Sequence, residues 1–224
     1  MRKNLQTLLR QSFTFLLIFY CTNSSLAAEI DSSNSKILFQ SGTVITENNF
    51  TALKEQFIPP LDLVENRYYR IIQFEQLPSD EIKSQLLIEG VRLLNYLPQN
   101  AFFASISIGT DFSKLDKCGI RTILSLEPHQ KSSRAIREKN IPNYAKSGDG
   151  LVSLIVLYFN DMSEEFVSGT FLGKDYEIIR SYHQGSQVRL RIASNRIPEL
   201  LSIPFVKYFL KVLWLMIFFQ SSKL

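Results

Sequence analysis

The stretch that decides the fold is RYYRIIQFEQLPSDEIKSQLLIEGVRLLNYLPQNAFFASI, residues 67–106. Its first block, Tyr68 to Phe74, is rich in aromatic and β-branched residues, which favour a β-strand. Ser79 then stands where a helix N-cap belongs, and the two acidic residues after it stabilise the positive end of a helix dipole. Gly90 follows at a position where a glycine commonly ends a helix. We therefore predict a strand followed by a capped helix.

Three further strands and a short helix are predicted after this helix. The segments are a strand at Val91–Tyr96, a turn at Pro98-Gln99-Asn100, a strand at Ala101–Ile108, a short helix at Asp111–Cys118 and a strand at Ile120–Leu126. The resulting order, β-α-β-β-α-β, is that of a split βαβ unit with ferredoxin-like topology. Such a unit is a small sheet with two helices on one face.

The same order of elements returns later in the chain. A shift of 84 positions, with one or two inserted residues, aligns Ile71 with Ile155, Ser79 with Ser163, Leu93-Leu94 with Ile178-Ile179, Phe112 with Ile197, and Ile120-Arg121 with Val206-Lys207. A repeat of whole elements outweighs any assignment made on a single segment. The sequence therefore predicts an α+β fold built from two tandem ferredoxin-like (βαββαβ) modules.

Residues 1–28 have the features of a secretory signal peptide. A basic start precedes an apolar core from Phe13 to Tyr20, and Ser25-Leu26-Ala27 forms a small-residue cleavage site. A membrane anchor, the alternative, would need ~20 apolar residues, and this core is much shorter. We expect an exported protein of the periplasm, the cell surface or the extracellular medium, with no membrane attachment after cleavage.

Composition and the repeat predict the boundaries of the segments that follow the signal peptide. The predicted organisation is a polar lead-in at 29–66, a first α+β module at 67–128, a basic linker at 129–150, a second α+β module at 151–210 and an apolar tail at 211–224. In the lead-in we predict short strands at Ile37–Phe39 and Gly42–Ile45 and a helix at Thr51–Gln56. The linker could contact an acidic partner, but its lack of interleaved aromatic residues favours a solvated connection.

Composition and charge narrow the class of protein. An apolar content of 45% and a charged content of 21% are ordinary for a globular protein. The formal charge is +4, but Arg2, Lys3 and Arg10 lie in the predicted signal, so the rest of the chain is close to neutral. Nucleic acid is therefore not expected as a partner. Cys118 is the one cysteine outside the signal, which excludes an internal disulfide after cleavage.

The residues that could carry chemistry are few and scattered. His129 and His183, the only histidines, lie in a Pro-Lys-rich loop and a Gln-Gly turn, where they are expected to be solvated. Cys118 beside Gly119 is expected to be a small buried apolar residue. The pairs Asp80-Glu81 and Glu164-Glu165 fall in first helical turns, where capping and the dipole explain them. We predict no catalytic, cofactor-binding or metal-ligating residues.

Four segments resemble the N-terminal pro-region of secreted subtilisin-like serine proteases, most closely those of the large Bacteroidetes type. They are RYYRIIQFEQLPSDE, GVRLLNYLPQNAFFASI, IRTILSLEPHQKSS and IPELLSIPFVKYF, which span residues 66–209 together with their connections. The resemblance implies propeptide-type α+β modules that assist the folding of a protease and inhibit it until cleavage. The partner it implies is the catalytic domain of a subtilisin-like protease, in cis within the family or in trans.

The chain departs from the family pattern in its catalytic part. The Asp-Ser/Thr-Gly, His-Gly-Thr and Gly-Thr-Ser signatures of a subtilase are missing, and the family's protease domain would begin just after Tyr208. The chain instead continues into an apolar run of eight residues, Val212 to Phe219, which is foreign to the repeat and too short to span a bilayer. We therefore expect a non-enzymatic chain from a truncated or frame-shifted gene.

Two other readings of the function stay open at this point. The first is a stand-alone secreted module that binds proteins or peptides in trans, with exposed sheet edges as the means of recognising extended segments. The second is a membrane-associated protein held by the apolar run, although that run lacks a clear amphipathic stripe.

Overall fold

The computed structural model describes residues 35–39, 41–53, 63–138, 140–141, 143–147 and 150–211. The strands are β1 Lys36–Phe39, β2 Gly42–Ile45, β3 Arg67–Phe74, β4 Val91–Leu97, β5 Ala101–Ser107, β6 Ile120–Leu124, β7 Lys146–Ser147, β8 Leu151–Tyr158, β9 Glu177–Tyr182, β10 Gln187–Ala193 and β11 Val206–Lys211. The α-helices are α1 Phe50–Leu53, α2 Asp80–Ile88, α3 Arg134–Arg137, α4 Glu164–Leu172 and α5 Ile197–Ser202. The 3₁₀ helices are Phe112–Cys118, Pro128–Gln130, Asn143–Ala145, His183–Gly185 and Ser194–Arg196.

The first sheet has the strand order β4-β5-β3-β6, and all its pairs are antiparallel. Helix α2 and the 3₁₀ helix Phe112–Cys118 pack on one face. That face buries a cluster with Ile72, Phe74, Leu86 and Leu115 at its centre, all of them fully buried. Side chains at alternate positions of β3 therefore pack against the apolar face of α2 in one small core.

Local chemistry sets the ends of these elements. The Ser79 hydroxyl accepts a hydrogen bond from the Ile82 amide at 3.4 Å and caps α2. Gly90 ends α2 at a φ of +90°, where an added Cβ would lie 2.9 Å from Thr110 Oγ1. The β4–β5 turn places Gln99 and Asn100 at φ values of 70° and 55°, the left-handed region that a tight hairpin turn requires.

The second sheet has the order β11-β8-β10-β9, again antiparallel throughout, and β7 pairs with the start of β8. Numbered within each unit, both sheets follow the order fourth, first, third, second strand. Helices α4 and α5 bury Val167, Phe171 and Leu200 against the sheet. Ser163 caps α4 by accepting from the Phe166 amide at 3.3 Å, as Ser79 does in the first unit.

The helix-free face of the first sheet is covered by the rest of the chain. Tyr69, Ile71 and Phe103 on that face belong to one continuous buried cluster with Val156 of β8 and Phe159, which follows β8. The β1–β2 hairpin covers another part of the sheet, because Gln73 Nε2 donates to the Lys36 carbonyl oxygen at 3.2 Å and Gln73 Oε1 accepts from the Thr46 hydroxyl at 2.6 Å. The two sheets therefore share a core.

The predicted α+β class is confirmed, and so are the predicted strand and helix positions, to within one to three residues. The hairpin strands of the lead-in form as predicted. The helix predicted at Thr51–Gln56 is observed at Phe50–Leu53, and its last three positions lie outside the described residues. The predicted signal at 1–28 and, except for Lys211, the predicted tail at 211–224 also lie outside them.

The linker predicted at 129–150 differs from a solvated connection. Ile136, Ile141 and Ala145 are buried in the shared core. Lys131 is 3% exposed, because its Nζ donates to the Ile203 carbonyl oxygen at 2.8 Å just after α5. The positive charges of this segment predict that it is solvated, but the apolar residues between them are buried and determine its packing. In the part of the chain that the structure describes, no helix has the length and apolar character needed to cross a membrane.

Candidate functional site

The best-defined polar cluster lies where the second unit meets the first sheet, around Asp161. The Ser105 hydroxyl donates to Asp161 Oδ2 at 2.5 Å, and the Tyr69 hydroxyl donates to Asp161 Oδ1 at 3.1 Å. Arg67 Nε in turn donates to Ser105 Oγ at 3.1 Å, and Arg92 Nη1 lies 3.8 Å from Asp161 Oδ2. Two neighbouring strands, β3 and β5, thus supply the donors that hold one carboxylate from the loop after β8.

The centre of this cluster is closed to solvent, whereas the Arg92 side chain at its edge is 49% exposed. Ser105 is fully buried, and the Asp161 side chain is 5% exposed. Burial and then the Asp161 charge raise the pKa of the Tyr69 phenol well above its ordinary value, which keeps that hydroxyl a donor. Because no substrate can reach Ser105, the cluster cannot act as a hydroxyl nucleophile with its base. Its chemistry is that of a buried hydrogen-bonded joint between the two units.

Aromatic packing reinforces the joint. The Tyr69 and Phe159 rings are stacked with centroids 4.3 Å apart, and Phe103 meets Phe159 edge-on at 5.5 Å. Pairs of this kind stabilise a contact by about 0.5–1.5 kcal/mol beyond burial of their area. At the rim, Lys207 Nζ donates to Asn95 Oδ1 at 3.0 Å and links β11 to β4.

A cavity of about 230 Å³ opens beside the joint. It lies between the first sheet, the segment after β6 and the end of α5, and Tyr69, Arg70, Leu126, Lys131 and Pro204 are among its lining residues. Both cations are buried and donate to backbone carbonyls, Arg70 to Tyr69 O and Lys131 to Ile203 O, each at 2.8 Å. Those bonds give both side chains a role in holding the structure together.

The helix-free face of the second sheet is different, because it carries arginines. We call it the arginine face and define it by Arg180 of β9 and by Arg189 and Arg191 of β10. Strand pairing places Arg180 directly opposite Arg189, and Glu177 opposite Arg191. Arg180 is exposed, and Arg189 and Arg191 are half-buried.

The residues that stand out in the sequence are dispersed in the structure. His129 is exposed, and His183 lies in a 3₁₀ helix before β10. Cys118 is 3% exposed, and burial, followed by the Glu89 charge, raises the pKa of its thiol, so the thiol stays protonated and poorly nucleophilic. Within the described ranges, no three His, Cys, Asp or Glu side chains converge in a way that could hold a metal ion.

The acidic pairs serve the helix starts that contain them. Lys83 lowers the pKa of the Asp80 carboxyl through a 2.9 Å hydrogen bond, and a hydrogen bond from Ser79 lowers that of Glu81. Glu164 and Glu165 occupy the same first-turn positions in α4. These carboxylates stabilise helix N-termini, as their positions in the sequence indicate.

Sequence reasoning missed both the Asp161 joint and the arginine face. Nothing local marks Asp161, because its donors lie 56 and 92 positions away. The arginine face does have a local signal. In QVRLRIA, residues 187–193, arginines alternate with Val188, Leu190 and Ile192, and this alternation predicts one apolar face and one basic face.

Comparison with known proteins finds one family. Residues 38–127 match the family described as "Domain of unknown function (DUF8729)". The match runs from β1 to the segment after β6, so it contains the first sheet together with the hairpin that packs on it. No curated protein and no solved structure matches the chain. The similarity is therefore confined to the first unit, and the family's description assigns no activity.

Proposed function

We propose that this chain is an exported, non-catalytic pro-region similar to those of subtilisin-like serine proteases, which assists the folding of such a protease and inhibits it. The observation that carries the proposal is the common strand order of the two sheets. In both, the fourth, first, third and second strands lie side by side, with two helices on one face. This is the order of a ferredoxin-like unit, and the proposal includes two such modules in tandem, as the pro-region resemblance implies.

The polar cluster at Asp161 agrees with a non-catalytic role. Its Ser105 hydroxyl, Tyr69 phenol and Asp161 carboxylate satisfy one another inside a closed joint. A pro-region needs a stable surface to present to its partner and needs no nucleophile of its own. The joint supplies rigidity by fixing the second unit on the first sheet.

The second unit is the one that can meet a protease with a sheet face. In the first sheet the helix-free face is filled by Tyr69, Phe103 and Phe159 of the shared core. In the second sheet that face carries the partly exposed side chains of Leu157, Arg189 and Tyr208. We infer that the first unit supports the second, which contacts the catalytic domain.

A refolding experiment tests this proposal. A subtilisin-like catalytic domain is denatured, diluted into native buffer with or without the full chain, and assayed for recovered peptide hydrolysis after dissociation of the chain. We expect the chain to increase the recovered fraction, whereas the Ile71→Asp variant, in which a charge disrupts the shared core, should not. Equal recovery with and without the chain would overturn the assisting role.

A second candidate is a stand-alone module that binds extended peptides in trans. The edge strands of the two sheets favour it. Among the residues that the structure describes, β4 and β9 each pair with a neighbour on one side only. A strand in that position can accept an extended peptide as an additional strand. If the chain binds unstructured peptides of neutral charge but neither refolds nor inhibits a subtilisin-like protease, this candidate replaces the first.

A further inference from the structure

We propose that the arginine face, formed by Arg180, Arg189 and Arg191, is a binding site for an acidic, extended segment of a partner protein. The inference deepens the proposed function, because it names the chemistry by which the second unit recognises its partner. The arginine face would bind an acidic segment of a partner other than a protease equally well, so this inference and the proposed function can fail separately.

The arginine face holds two like charges close together. Arg180 and Arg189 are directly opposite each other on neighbouring strands. Residues in that relation have Cβ atoms about 4.5–5.5 Å apart, and like charges there are destabilising. A sheet that keeps two arginines in this position carries an energetic cost that a bound anion would remove.

The arginine face has fewer carboxylates than guanidinium groups among the described residues. Arg191 Nη1 lies 2.6 Å from Glu177 Oε1, which accounts for one of the three guanidinium groups. The Nε atoms of Arg189 and Arg191 are buried and have no hydrogen-bond partner among the described residues. The Arg180 guanidinium lies 5.1 Å from the centroid of the Tyr182 ring, a cation–π contact, and its side chain is exposed. Two of the three positive charges therefore have no ion-pair partner in the part of the chain that the structure describes.

The residues around the arginines favour one class of anionic ligand. Guanidinium groups bind carboxylates and phosphates in bidentate geometry. A single-stranded nucleic acid would also need aromatic side chains on which its bases could stack. The aromatic ring beside these arginines, Tyr182, is already covered by the Arg180 guanidinium. The β8 residues that pair with Arg189 and Arg191 are Ile155 and Ser153, and both are buried. A carboxylate-bearing peptide fits this surface better than a nucleic acid does.

The spacing of the strands also defines the ligand. Neighbouring strands lie about 4.8 Å apart, and side chains at alternate positions of an extended peptide are about 7 Å apart on the same side. These two spacings differ by about 2 Å, so the contact depends on the length and flexibility of the arginine side chains and not on a rigid match. With that adjustment, a segment that crosses β9 and β10 can present acidic side chains at every second position to Arg180 and Arg189.

The test uses the full chain and a fluorescein-labelled peptide of alternating glutamate and serine, with binding followed by fluorescence anisotropy at low ionic strength. We expect the double variant Arg180→Ser/Arg189→Ser to bind this peptide about tenfold or more weakly, since it removes both guanidinium groups without an ion-pair partner. The matched control, Lys83→Ser/Lys114→Ser, removes the same charge from the helix side of the first unit and should bind as the unchanged chain does.

Three results would overturn the inference. One is equal peptide binding by the arginine variant and the unchanged chain. Another is an equal loss of binding in the lysine control, which would show a general effect of net charge. The third is tighter binding of a single-stranded RNA of the same charge, which would assign the face to nucleic acid. Protease inhibition is measured on the same samples, so peptide binding without inhibition would contradict the proposed function and leave this inference standing.

Discussion

The Ser105 hydroxyl donates a 2.5 Å hydrogen bond to Asp161 Oδ2, and this bond joins the third strand of the first sheet to the loop that follows the first strand of the second. Both groups are almost fully buried, so the bond has no competition from water. The relationship joins the two sheets into one structure. The joint also covers the helix-free face of the first sheet, whereas on the arginine face of the second Arg180 is exposed and Arg189 is half-buried.

Asp161→Ala should lower the free energy of unfolding by about 3 kcal/mol, because it leaves the Ser105 hydroxyl buried without its acceptor and the Tyr69 hydroxyl with only the weakly accepting Met162 sulfur. Urea unfolding measured by circular dichroism gives this value. Asp161→Asn keeps an acceptor oxygen and should cost less. Glu47→Ala, at an exposed position before α1, serves as the control and should change stability by less than about 0.5 kcal/mol. Equal stability of Asp161→Ala and Glu47→Ala would contradict the joint.

Stability should fall on the alkaline side because of two buried phenols. Burial, with the Asp161 charge, raises the pKa of Tyr69, and burial, with the Glu199 charge, raises that of Tyr176 to about 12 from an ordinary value of 10.0. The folded state holds these protons more tightly than the unfolded chain does. Their contribution is therefore complete below pH 10 and is lost as the pH rises from about 10 towards 12.

Melting temperatures recorded from pH 8 to pH 12 test this alkaline loss. Tyr176→Phe should make the decline between about pH 10 and 12 shallower, since one of the linked protons is gone. Tyr96→Phe, at an exposed position of β4, should leave the profile unchanged. A profile that is the same for the Tyr176 variant and the unchanged chain would exclude this phenol as a source of the decline.

Ile71→Asp and Ile155→Asp should differ, although the two positions are aligned in the repeat that the sequence predicts. Ile71 is fully buried in the shared core, so a carboxylate there should cost more than about 4 kcal/mol and unfold both units together. Ile155 is also buried, at 5% exposure, but it pairs with Arg189, whose charge offers a new carboxylate a partner. We expect a smaller loss for Ile155→Asp. Calorimetry that shows equal losses would mean that Arg189 does not compensate a carboxylate at position 155.

The repulsion on the arginine face can be measured by a double-mutant cycle. Arg180→Thr and Arg189→Thr should each raise the free energy of unfolding by a few tenths of a kcal/mol up to about 1, because either change relieves the opposed charges. The double variant should gain less than the sum of the two, since the repulsion can be removed only once. A gain equal to the sum would show that the two guanidinium groups do not interact.

Local features made much of the fold predictable. Ser79 and Ser163 mark helix starts by capping chemistry, Gly90 marks a helix end by its positive φ, and the alternation in QVRLRIA marks a strand with two unlike faces. Each of these signals acts within a few residues. They gave the positions of strands and helices in both units.

What the sequence did not predict depends on contacts between distant segments. The burial of Lys131 needs the Ile203 carbonyl, and the Asp161 joint needs two strands of the other unit. The opposition of Arg180 and Arg189 depends on strand register, which a bulge in β9 shifts just beyond this pair. Such relations arise only when the sheets assemble, so no local pattern contains them.

Inhibition of a subtilisin-like protease is the most direct measurement of the central proposal. The full chain is titrated into the purified protease, and hydrolysis of a small chromogenic peptide is followed over time, with a trypsin-type protease as the control. The account predicts saturable inhibition of the subtilisin-like enzyme, sustained while the chain is intact, and none of the control enzyme. Unchanged hydrolysis at every concentration of the folded chain would contradict it.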